Sequence, residues 1–171
     1  MDRIVAETIG TTRLDLLPLH AGYAAEMATV LSDPALHTYL GGAPESVAAL
    51  RARYERQTAG SPDPAVTWLN WVVRLRAESC LTGTVQATVG PDGVAEIAWV
   101  IGTPWQGRGI ATEAARGLVD WLAGRGVRAV IAHIHPDNRA SAAVASAAGL
   151  TPTAESHDGE VRWRRDLAPV P

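Results

Sequence analysis

Hydrophobic and polar positions change period several times along the chain, and each change marks an element. The run RLDLLPL (Arg13 to Leu19) reads as an opening strand, and AGYAAEMATVLSD after it as a helix closed by Asp33-Pro34. A second helix fits PESVAALRARYERQTA, with Pro44 in its first turn and Val47, Leu50 and Tyr54 along one face. After GSPDP the period shortens. TWLNWVVRLR, LTGTVQATV and VAEIAWVIG are three strand-like runs divided by short turns, of which GPDG (Gly90 to Gly93) is the plainest hairpin signal, so an antiparallel meander is expected.

The helical period returns at Ile110, Ala114, Leu118 and Leu122, with Ala111, Ala115 and Val119 beside them, and Gly124 and Gly126 stop it. RAVIAHIHP (Arg128 to Pro136) follows as an interior strand, so strand, helix and strand predict a right-handed crossover. From Asn138 a short alanine-rich helix runs to Gly149, and TPTAES and EVRWRRD form a last strand pair around HDG. The sum is an α/β fold: one mixed, mostly antiparallel sheet of about seven strands flanked by four helices on both faces. One domain is expected over residues 1–171, with a core over 12–166 and a fraying tail over 167–171.

Composition narrows the function. The formal charge of −3 provides no basic stripe for a nucleic acid backbone, so no nucleic acid partner is expected. Every cation is arginine, which carries no mechanistic weight. One cysteine, Cys80, allows no intramolecular disulfide, and no cysteine or histidine cluster has zinc spacing, so no metal is expected and His133 and His135 read as packed or bonded residues. No run approaches the roughly 20 apolar residues of a membrane span. The opening MDRIVAETIG is unlike a secretory signal, so a cytoplasmic protein without membrane association is expected.

The chemistry concentrates in PWQGRGIATEA (Pro104 to Ala114), a glycine-rich turn running into an apolar helix. A helix start leaves four N–H groups unpaired and carries about half a positive charge. In Gln106-Gly107-Arg108-Gly109-Ile110-Ala111-Thr112 the side chains are trimmed where an anion would approach, so a diphosphate can rest on main-chain donors, with Arg108 adding charge. The bland alternative is a turn that merely joins two elements. A dinucleotide fingerprint fails on Thr112 at the third glycine position and on the preceding meander, and no P-loop lysine follows.

The pattern Gln106-x-x-Gly109-x-Ala111 resembles the acyl-CoA pyrophosphate signature of the GCN5-related N-acetyltransferase (GNAT) family, Arg/Gln-x-x-Gly-x-Gly/Ala. AEIAWVIGTPWQGRGIATEAARGLVDWL and HPDNRASAAVASAAGL are similar to the branch that acetylates N-termini of ribosomal proteins, and the likeness runs from about Thr12 to Asp166. The resemblance implies the acyl-CoA N-acyltransferase fold, with the sheet splayed between its fourth and fifth strands and the pantetheine arm of acetyl-CoA in the gap. Trp99, Val100 and Ile101 would meet that arm, with an N–H near Val100 at the thioester oxyanion; Gln106 to Thr112 would hold the diphosphate; Asn138 would touch the cofactor, and it also reads as an N-cap.

For catalysis the resemblance implies Glu96 as a base acting through water and Ser141 near the sulfur, while the position where many relatives place an acidic tyrosine holds Ala145. Glu113 suits the dipole of its helix. Arg139 is a solvated residue in this reading or a phosphate contact. Between the first two helices, SDPALHTYLGGAPE would form the acceptor site with His37, Tyr39 and Glu45, facing Trp68, Asn70 and Trp71. The implied activity is acetyl transfer from acetyl-CoA to a primary amine, a protein N-terminal α-amine or a small molecule, by direct attack in a ternary complex. Cys80 lacks an adjacent base. The alternative is a non-catalytic acyl-CoA sensor on the same fold, and a monomer or homodimer is expected.

Overall fold

A computed structural model describes residues 3–169. Eight strands form one sheet in the order β1-β2-β3-β4-β5-β6-β8-β7. They are β1 (Ile9–Gly10), β2 (Leu14–Pro18), β3 (Thr67–Leu75), β4 (Cys80–Val89), β5 (Val94–Ile101), β6 (Ala129–Ile134), β7 (Thr151–His157) and β8 (Glu160–Asp166). Neighbours run antiparallel except β5 and β6, which are parallel because α4 crosses between them. The helices are α1 (Ala24–Val30), α2 (His37–Leu40), α3 (Val47–Ala59), α4 (Ile110–Ala123) and α5 (Arg139–Ala147).

Strand alternation divides the core. On β3, Leu69, Trp71, Val73 and Leu75 join α4 residues Ile110, Ala114, Leu118 and Leu122 in one cluster. Val72 points to the opposite face, where Ala24 and Met27 of α1 meet Leu50 and Tyr54 of α3. Each leucine, isoleucine, valine or methionine among them contributes about 1.5–3 kcal/mol on full burial, so the two layers hold the sheet between them. Trp71 is fully buried, donates its indole N–H to the Glu7 carbonyl (2.8 Å) and meets Trp121 edge to face at 5.3 Å between ring centres.

Several expectations change. The sheet has eight strands where about seven were expected, because β1 is only two residues long, too short for a periodic signal, and pairs with β2 through Ile9↔Leu16. Five helices replace four, since the four-residue α2 lies inside the expected acceptor loop. Pro44 precedes α3 and does not enter it; Ser46 caps that helix by accepting from the Ala49 N–H at 3.1 Å. The first helix opens as a 3-10 turn over Ala21–Tyr23 and ends at Val30. The tail does not fray throughout: Leu167 is buried and donates its N–H to the Arg128 carbonyl (2.8 Å), whereas residues 170–171 lie outside the described ones.

Candidate functional site

β5 and β6 pair only at Val94↔Ala129, Ala95↔Val130 and Glu96↔Ile131. Past Glu96 they part, and Ile97 to Ile101 keep β4 as their one neighbour. A strand bordered on one side offers unpaired N–H and C=O groups to an extended ligand. In the gap lies a cleft of about 630 Å³, and its walls include Trp99, Val100, Ile134, Ile110 and Ser141. That volume is typical of small-molecule sites.

One end of the cleft is the start of α4. Gly109 immediately precedes the helix with φ +76°, and Gly107 has φ +74°, left-handed values that other L-residues adopt only at a cost. No side chain among the described residues caps α4, and Glu113 is the first N–H bonded to the helix start, to Gly109 O at 3.0 Å. The N-terminal backbone at Ile110, Ala111 and Thr112 is therefore left to the cleft these residues line.

Long-range contacts hold this turn. Thr11 Oγ1 (2.6 Å) and the Arg13 N–H (2.8 Å) both donate to Glu113 Oε2, Arg13 Nε donates to Oε1 (2.7 Å), and Arg13 Nη1 donates to the Arg108 carbonyl (2.9 Å). Burial works against ionisation of Glu113, but the Thr11 and Arg13 hydrogen bonds with the Arg13 charge prevail, holding its carboxyl below the usual range. Gln106 donates from Nε2 to the Ile101 carbonyl (3.0 Å), fastening the turn to the end of β5. Arg108 is turned onto Glu78 (2.8 Å), and that hydrogen bond holds the Glu78 carboxyl low.

On the other side of the cleft, Asn138 accepts from the Ser141 N–H (3.2 Å) and thereby caps α5. Ser141 and Asn138 line the cleft, and so does Glu160 at the start of β8, the one carboxylate in its walls among the described residues. Glu96 is half-exposed and accepts from His133 Nδ1 at 2.7 Å. Arg162 donates to His133 Nε2 (3.0 Å) and bonds Glu155 through Nη1 (3.1 Å), so the ring carries its proton on Nδ1 and both nitrogens are engaged.

A second cavity of about 520 Å³ lies beyond β5 and shares Leu40, Ala98, Trp99 and Val100 with the cleft. His37, Glu45, Asn70 and Trp71 of the expected acceptor set line it. Tyr39 instead lines the first cleft and packs on the His135 ring at 5.2 Å, and Trp68 lines neither space.

Trp99, Val100, Ile101, Gln106, Gly107, Gly109, Ile110, Ala111, Thr112, Asn138 and Ser141 thus surround one cleft. The Arg108 and Glu96 side chains are engaged elsewhere, Arg139 is exposed, and His133 and His135 are not bonded to each other. Sequence reasoning missed Arg13 and Glu160. Arg13 acts across about a hundred positions of sequence with no local signature, and Glu160 reaches the cleft only because β8 pairs with β6.

Among the described residues no group of three or more His, Cys, Asp or Glu side chains could hold a metal ion, and no helix is long and apolar enough to cross a membrane. No curated protein matches the chain in sequence. Solved structures do match in fold. An acetyltransferase from Agrobacterium tumefaciens is 25% identical, with 96% of this chain and 97% of that one covered and a TM-score of 0.74. RimL, described as a ribosomal L7/L12 α-N-protein acetyltransferase in complex with coenzyme A, is 18% identical over 94% and 98% (TM-score 0.76). The microcin C7 self-immunity acetyltransferase MccE, in complex with acetyl-CoA and AMP, is 18% identical over 92% and 94% (TM-score 0.75). The family model described as acetyltransferase (GNAT) domain matches residues 13–151, most of the chain, so this protein belongs to the GNAT acetyltransferase family.

Proposed function

We infer that the protein transfers an acetyl group from acetyl-CoA to a primary amine. The observation that carries this is the cleft between β5 and β6, which ends at the uncapped start of α4. Its parts suit coenzyme A: an unpaired strand edge for the amide-bearing pantetheine arm, and glycine-flanked main-chain donors for the diphosphate. The coenzyme A and acetyl-CoA complexes of the RimL and MccE structures support the same ligand.

In the reaction an amine held in the second cavity attacks the thioester carbonyl beside Val100, the carbon–sulfur bond breaks, and the amine's proton passes to a carboxylate. Glu96 is the proposed base, acting through water: one oxygen is fixed by His133 and the other carries no hydrogen bond among the described residues. Glu160 is the rival, favoured by its place in the cleft wall with Ser141. Ser141 would donate toward the sulfur; a thiol of pKa about 8.5 leaves readily near neutral pH without strong acid help. An α-amine of pKa about 7.7–8.0 is appreciably neutral at pH 7.4, whereas a lysine of pKa about 10.4 is neutral about one part in a thousand, so an α-amine acceptor makes the smaller demand on the base. RimL's described substrate, an α-amine, supports that acceptor class.

Titration calorimetry with coenzyme A, followed by thiol release with acetyl-CoA and a panel of N-terminal peptides, polyamines and aminoglycosides, tests the reading. Micromolar binding and amine-dependent release are expected; a protein that binds no coenzyme A refutes it.

A further inference from the structure

The cleft has a closed end. Ile97 and Ala98 of β5 and Ala132 and His133 of β6 line it, but Glu96 and Ile131, the last pair of the parallel ladder, do not. An arm that starts at the α4 end and runs down the seam therefore points its acyl group at the place where the two strands join. What stands there decides how long that acyl group can be.

Each direction is blocked. Ahead lies the ladder, which a chain enters only by breaking its hydrogen bonds. Toward α4, Ile97 and Ala132 are buried in the core with Ile110 and Ala114. On the opposite face Glu96 accepts from His133 Nδ1 at 2.7 Å, so a hydrogen bond spans the seam just past the ladder. Arg162 braces the ring through Nε2 (3.0 Å), Glu155 holds Arg162 (3.1 Å), and the His157 ring packs on His133 at 5.5 Å between centres. The His133 side chain is 9% exposed, so the ring has little room to swing. The remaining wall carries Glu160, whose carboxylate an alkyl chain would desolvate.

We propose that the Glu96–His133 bridge, braced by Arg162, is an acyl-length gauge that admits acetyl and propionyl groups and excludes butyryl and longer ones. The proposal rests on the acetyl-transfer reading, in which the thioester lies beside Val100. Extending the ladder's register places His133 opposite Ala98. From Val100 to Ala98 is about 7 Å at about 3.3 Å per residue, and a contact distance of about 4 Å leaves about 3 Å, enough for the acetyl methyl and one further carbon. This role differs from that of a base, because the bridge acts on the acyl donor whatever amine is acetylated.

Calorimetry on the intact protein with coenzyme A and its acetyl, propionyl, butyryl and hexanoyl thioesters, with no acceptor present, tests this. An open apolar pocket binds each longer chain more tightly, because every buried methylene adds affinity. A gauge reverses that trend: butyryl-CoA is expected to bind about tenfold or more weaker than acetyl-CoA, and hexanoyl-CoA weaker still. His133→Ala and Glu96→Ala each remove the bridge and are expected to bring butyryl-CoA level with acetyl-CoA. Glu96 is half-exposed, so its alanine variant keeps the test open should His133→Ala unfold. Glu96→Gln is the control: its amide oxygen still accepts from Nδ1–H, so the length preference is expected to persist even where proton transfer is lost. The proposal is overturned if butyryl-CoA and hexanoyl-CoA bind the parent as tightly as acetyl-CoA, or if a folded alanine variant keeps the parent's ratio. Failure to bind coenzyme A itself would instead remove the acetyl-transfer reading, and the gauge with it.

Discussion

Gly83 on β4 faces Ile101 of β5 in the register. A methyl group at its Cα would overlap the Val100 carbonyl oxygen and stand 2.8 Å from Ile101 Cδ1 and 3.0 Å from Ile101 Cα. The backbone dihedrals here suit any residue, so the reason for glycine is close approach alone. Gly83→Ala must push the two strands apart by roughly an ångström, and because main chain is the obstacle no rotamer change relieves it. Overpacking of this kind costs about 1–3 kcal/mol, and the entropy lost from the unfolded chain returns about 0.4–1 kcal/mol, leaving a net loss of about 1–1.5 kcal/mol. For a chain of this size that is a fall in Tm of roughly 2–6 °C. The displaced segment is the wall at Val100, so coenzyme A affinity and kcat should fall together; a 1 Å misplacement can cost about a hundredfold in rate. Thermal unfolding by circular dichroism and calorimetry on one preparation measure both effects. A variant that melts within a degree of the parent, or melts lower but binds coenzyme A equally well, refutes the reasoning.

Gly109→Ala places a side chain where φ is +76° and 3.3 Å from Arg13 Nη2, so weaker coenzyme A binding, by about tenfold or more, is expected in calorimetry. Arg13→Ala removes the charged partner of Glu113 and the tie to the Arg108 carbonyl, leaving a carboxylate one turn from the proposed diphosphate site; affinity should fall, and fall further at low ionic strength. Because the Glu113 carboxyl is held low in the folded state, it adds stability above the ordinary carboxylate range and loses it as pH falls through that range. Urea unfolding from pH 7 to pH 3 should therefore show Glu113→Gln less acid-sensitive than the parent. Glu96→Gln and Glu160→Gln, compared in kcat, separate the two candidate bases: the base loses about a hundredfold with little change in coenzyme A affinity.

Most of the architecture was legible in the chain because its elements are long and strongly periodic. The meander, α4 with its four-residue apolar repeat and the strand after it stand within a residue or two of their expected positions. What escaped was short or non-local. β1 exists through its pairing with β2, and the α2 turn interrupts a stretch whose composition reads as loop. The cleft residues emerged together because the glycine pattern, the strand before it and Asn138 are each local signals that the fold brings to one place. Partners did not. That Arg108 turns to Glu78 and that His133 bridges Glu96 and Arg162 both depend on side chains from separate elements meeting.

The brevity of the parallel ladder has a mechanical consequence. With three residue pairs joining β5 to β6, the sheet is two leaves with a seam between them, which α4 spans in the chain and the Glu96–His133 hydrogen bond crosses. An arm lying along the seam would rejoin the leaves, so the amides of Ile97 to Ile101 should exchange with deuterium faster in the free protein than in the loaded one. Substrate would then act as a structural strand as well as a reactant.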